Sequence, residues 1–214
     1  MLLTAASFAA LMLLPIDFPY PLFAALLLAN GVGSGLFAAP NTTAIMNSVP
    51  ARQRGAASGM RATFQNAGFV LSIGLFFSLM VAGLAARLPA AMSAGLTANG
   101  VPTATAARVA HLPPVGSLFA AFLGYNPVAT LLGPATLGRL QPGQAATLTG
   151  TAFFPRLMAA PFQHGLVVVF LAALAMSLVA AAASASRGGR YVHQEADASA
   201  VGLADPPSDE ELLA

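Results

Sequence analysis

The side chains that could do chemistry in this sequence are few. Asn30, Ser34, Ala38 and Asn41 recur at spacings of four, four and three, which puts them on one face of a helix. Ser58, Arg61, Gln65, Gly68 and Ser72 repeat the pattern at alternating spacings of three and four. Both runs lie in or beside strongly apolar sequence, where polar groups mark either a water-filled path or a hydrogen-bonded contact between helices. Either role fits Asn30, Ser34, Asn41, Gln65 and Ser72. Arg61 is expected to snorkel to lipid headgroups or to pair with a carboxylate on a segment outside this chain.

Other chemistries lack the residues they need. Gly31-Val-Gly33-Ser-Gly35 has no strand before it and a misplaced third glycine, so it is no dinucleotide fingerprint. Gly31 and Gly35 instead form a small-xxx-small pair suited to close helix packing, and Pro40 is expected to kink the same helix and serve as a hinge. There is no cysteine, which excludes disulfides and Cys-based metal, haem or iron–sulfur sites. His111, His164 and His193 are far apart and carry no metal-ligand spacing. No Ser–His–Asp set or carboxylate pair offers acid–base or nucleophilic catalysis. Neither an enzyme nor a cofactor is expected. Asn41-Thr42-Thr43 fits a glycosylation acceptor, but its expected place inside a span argues against use.

The elements that must position these residues are set by composition. Of 214 residues, 57% are apolar and 7% are charged, with no tryptophan; an ordinary soluble domain is roughly 25% charged. Lipid is therefore the expected solvent for most of the chain. All nine basic residues are arginine, and between Asp17 and Glu195 there is no carboxylate for 177 residues. Residues 1–190 carry nine arginines against one aspartate, a net +8, and residues 191–214 carry −6. The pI of about 9.7 averages these two regions, and no basic stripe interleaved with aromatics supports nucleic-acid binding.

A membrane-spanning helix needs about 20 mostly apolar residues. The fold expected is an all-α membrane protein with spans at about 22–46, 62–86 and 162–185, and a truncated first span at about 1–14, whose beginning lies outside the chain. Residues 1–190 form one membrane domain, with a long outer loop over 87–161 built of short amphipathic helices lying on the outer face. The uncharged stretch 115–138 could pass for a fifth span, but Gly124, Asn126-Pro127 and Gly133-Pro134 interrupt it. Arg52, Arg54 and Arg61, and later Arg187 and Arg190, fall on one side with four spans. That side is the cytoplasm by the positive-inside rule. The acidic tail 191–214 is expected to be cytoplasmic and disordered.

The stretch from Gly35 through Pro40-Asn41 to Asn47, with Pro50-Ala-Arg52-Gln-Arg54-Gly55-Ala-Ala-Ser58-Gly59-Met and then Arg61, resembles major facilitator superfamily transporters. More narrowly it is similar to the 14-span drug:proton antiporter branch (EmrB/QacA type), in which a Pro-Asn span end leads through a Pro-x-x-x-Arg-Gly-x-x-Ser-Gly loop into the next helix. The segments 112–127, 162–170 and 187–193 fit the same branch, so the resemblance covers most of residues 1–193. It implies the C-terminal part of a helix bundle that exports small hydrophobic or cationic compounds in exchange for protons, inactive without the preceding spans. It also implies that the proton-carrying acids lie in those spans, in keeping with the carboxylate gap. Arg52 and Arg54 would make contacts that latch one conformation. A bacterial inner membrane is the implied location. An accessory or interaction subunit of four spans is the alternative, and a gene remnant without function is a third.

Overall fold

The structure, a computed structural model, describes residues 1–186; the expected tail, together with Arg187, Arg190 and His193, lies outside the described residues. Among the described residues the chain is all-helical. Helix α1 spans Leu2–Met12 and ends where Pro15 and Pro19 deny the backbone its next donors. Helix α2, Tyr20–Asn47, starts behind Pro19 with Pro21 in its first turn. A 3₁₀ turn at Ala51–Gln53 leads into α3, Arg54–Ala98, which is 45 residues long. Four short helices follow: α4 Thr103–Val109, α5 Pro114–Phe122, α6 Val128–Leu137 and α7 Pro142–Thr149. Helix α8, Phe153–Ala185, closes the described chain.

Three of these helices, α2, α3 and α8, are long and apolar enough to cross a membrane, which fits a membrane protein. Helix α1 is shorter and apolar. The stretch 115–138 is not one helix. It is divided by the turn at Gly124, where φ is +67°, and broken again at Gly133, where φ is +70°. Both values suit glycine alone at little cost.

The long helices run alternately up and down and form a row. Helix α1 packs against both α2 and α8, α8 packs against α3, and α2 touches α3 only sparsely. The spatial order is therefore α2, α1, α8, α3. Small residues set the α3–α8 seam. A Cβ on Gly165 would lie 2.7 Å from the Met80 carbonyl oxygen, and one on Gly83 would lie 2.8 Å from the Gly165 Cα, so α3 and α8 meet backbone to backbone. Beside α1 the seam is held by stacked Phe8 and Phe170, ring centroids 6.2 Å apart, and by Gln163, whose Nε2 donates to the Leu14 carbonyl at 2.7 Å.

The main core lies beyond the apolar stretches, at one end of the row. Helix α3 does not stop near residue 86 but continues through Pro89 to Ala98, and α8 begins at Phe153. On α3, Leu84, Leu88, Met92 and Leu96 recur every four residues and are fully buried. They meet Phe154 and Met158 of α8 and Val101, Ala106, Leu118, Val128 and Leu148 from the short helices and the turns beside them. The expected outer loop is thus a packed cap on two helical stems. Burying a Leu or Phe contributes about 1.5–3 kcal/mol, and nearly all such burial in the described chain is here.

Asn126 clasps the cap. Its Nδ2 donates to the carbonyls of Leu148 and Gly150, each at 2.8 Å, and its Oδ1 accepts from the Val128 amide at 3.0 Å. One side chain therefore ties the start of α6 to the end of α7.

Candidate functional site

On α2 the expected polar stripe is split by its surroundings. Gly33 is buried, and a Cβ there would meet Thr4 Oγ1 at 2.8 Å. Asn30, one turn earlier on that side, is half-buried with its Nδ2 shielded from solvent and without a hydrogen-bond partner. Thr4 Oγ1 on α1 is likewise buried and unpartnered. Asn30 therefore lies at the α1 seam, while Ser34 is exposed and Asn41 is half-buried. Gly31 and Gly35, expected as the packing pair, face open space, with nothing within 4 Å of a Cβ on either. The close approach is made by Gly33 between them. Which of three neighbouring glycines faces a partner depends on where α1 lies, and spacing alone does not fix that.

Pro40 sits inside an uninterrupted α2. The Thr42 and Thr43 hydroxyls donate back to the carbonyls of Ala38 and Ala39 at 2.9 and 3.2 Å, a back-bonding that occupies carbonyls around a proline in a helix.

On α3 the stripe is largely exposed, with Arg61 and Ser72 half-buried. No residue between Arg54 and Leu79 is buried. Arg61 Nη1 donates to Gln65 Oε1 at 3.0 Å, one turn on, while Arg61 Nε is shielded and unpartnered. Ser72 Oγ turns back to the Phe69 carbonyl at 2.7 Å. Arg52, Arg54, Gly55 and Gly59 are exposed, and Pro50 is half-buried. The polar residues of α2 and of α3 are not brought together: α1 and α8 lie between the two helices in the row.

A groove at the base of the cap was not foreseen. It has a volume of about 480 Å³ and is lined by Arg87, Ala90 and Ala91 of α3 and by Pro161, Gln163 and His164 of α8. Arg87 and His164 bring hydrogen-bond donors to an alanine-rich floor. The two are distant in sequence, so only the antiparallel α3–α8 seam joins them. Among the described residues no group of His, Asp and Glu could hold a metal ion.

No family model matches the chain, no curated protein matches it, and no solved structure does. The class is therefore set by the fold alone: an all-helical chain, among the described residues, with three helices able to cross a membrane and a packed helical cap between the last two.

Proposed function

We propose that the chain is the C-terminal portion of a proton-coupled multidrug exporter of the major facilitator type, which moves small amphipathic compounds by alternating access. The remaining helices and the proton-carrying acids are supplied from outside these 214 residues. The protein sits in a plasma membrane, a bacterial inner membrane, with its C-terminus in the cytoplasm. One observation carries this reading: among residues 54–79 of α3, which include Arg61 and Gln65, none is fully buried, and Gln65 is exposed. Polar side chains within membranes face protein or water; Gln65 lies inside the apolar stretch 62–86, while Arg61 stands at its edge, within reach of the headgroups. Helix α3 thus calls for further helices, and Gln65 lines the path they enclose. Two halves rocking about a midplane site would supply them.

The cap favours a second reading. Its core is self-contained enough to present a surface to a partner, as in an accessory or interaction subunit of a membrane complex. Ethidium accumulation in cells with and without the gene separates the two. The exporter reading expects higher accumulation on deletion, and the same rise with Gln65→Leu at unchanged protein level. Unchanged accumulation, with the chain co-purifying in fixed ratio with another membrane protein, overturns it in favour of the subunit.

A further inference from the structure

The cap has two unlike sides. On α4 and α7 and the turn before α7 the exposed positions include Thr103, Arg108, Gln141, Thr147 and Thr149, a surface that water solvates well. Helix α5 differs. It turns Ser117 and Leu118 inward and leaves Phe119, Phe122 and, just past its end, Leu123 exposed at 56%, 70% and 81%. Phe119 lies four residues from both Val115 and Leu123 and three from Phe122, which gathers these side chains along one side. Tyr125, also exposed, extends the strip with a ring that is apolar along its body and polar at its tip. From Leu112 to Gly138 there is no charged residue.

The position of this strip identifies its neighbour. The rings of Phe122 and Phe162 meet edge to face, with centroids 5.9 Å apart. Phe162 lies near the start of the uncharged stretch of α8, which follows Arg156 and runs to the helix end at Ala185, long enough to cross the hydrocarbon layer at about 1.5 Å per residue. The aromatic strip is therefore continuous with the apolar belt of α8 and lies at the level where that belt begins. A short helix with one apolar face at that depth buries it about 5–10 Å into the boundary between headgroups and acyl chains, where tyrosine is also favoured.

We infer that α5 is an interfacial anchor: Phe119, Phe122, Leu123 and Tyr125 insert into the outer leaflet of a phospholipid bilayer and hold the cap against the membrane. The inference rests on α8 being a membrane span, and it explains why 115–138 is apolar enough to imitate a span without crossing. One face of the stretch enters the cap core through Leu118, Val128 and Leu132, and the other enters lipid.

The absence of native tryptophan gives a direct test. Single-tryptophan variants Phe122→Trp and Leu171→Trp of the full chain are reconstituted in phosphatidylcholine vesicles with lipids brominated either near the headgroup end or deep along the acyl chain. Leu171 is 54% exposed on α8 and reports on the span itself. The indole of Phe122→Trp is expected to be quenched most by the shallow bromines and that of Leu171→Trp by the deep ones, with Phe119→Trp repeating the shallow result. If Leu171→Trp is quenched and the two α5 variants are not, the anchor is overturned while the membrane reading stands. A blue-shifted but unquenched Phe122→Trp would also overturn it, by placing a second copy of the chain on the strip. If Leu171→Trp too escapes quenching, the membrane reading falls with the anchor.

Discussion

An added methyl group is a sharp probe of which glycines the fold uses. At Gly165 it would press on the Met80 carbonyl oxygen at 2.7 Å, whereas at Gly31 it would meet nothing within 4 Å. Gly165→Ala must therefore push α8 away from α3, and overpacking of this kind typically costs about 1–3 kcal/mol. Thermal unfolding in detergent should show Gly165→Ala well below the parent and Gly31→Ala level with it; equal midpoints would contradict the seam. Asn126 is the other residue with a measurable role. Asn126→Ala leaves the carbonyls of Leu148 and Gly150 and the Val128 amide without the partner that Asn126 provides, and each buried group left unpaired costs about 1–3 kcal/mol. Hydrogen exchange should speed up in α6 and α7 while the α1–α8 seam stays protected. Uniform loss of protection would mean that Asn126 holds more than the cap.

Among the elements, the apolar runs were legible because lipid selects composition directly: α2, α3 and α8 contain the stretches 22–46, 62–86 and 162–185. Their ends were not. The apolar run closes at about residue 86, before Arg87, yet the period of four in Leu84, Leu88, Met92 and Leu96 carries α3 through Pro89 to Ala98, because a buried face outweighs one missing donor. Asn126 and Gly133 read correctly as breaks in 115–138, but the clasp made by Asn126 depends on where α7 lies and leaves no local trace. The polar stripes were legible as stripes. Their neighbours were not, since contact between α2 and α3 is a matter of helix order. Between these helices the exposed Arg52 and Arg54 offer charge to a facing segment. Arg54→Ala is expected to slow export without changing the amount of protein in the membrane; unchanged export would leave the proposed latch without a role.

For the molecule as a whole, the row of four helices leaves α2 and α3 as flanks, and the proposal is that other helices of a transporter cover them. The proposed topology of four crossings puts the two arginine-rich segments together on the cytoplasmic side. A tag placed after Ala214 should therefore react with impermeant reagents only after cells are opened, and labelling of intact cells would require a different number of crossings. At the centre of the proposed function, Gln65 borders a water-filled path enclosed by further helices. The cysteine-free sequence permits a direct measurement: the single variants Gln65→Cys and Ile73→Cys are treated with a small charged thiol reagent in membranes, with and without a cationic export substrate. Gln65→Cys is expected to be labelled, and substrate to suppress that labelling. Ile73→Cys, at an exposed apolar position, is expected to be labelled poorly in both conditions. Equal, substrate-independent labelling of the two variants would contradict a path at Gln65.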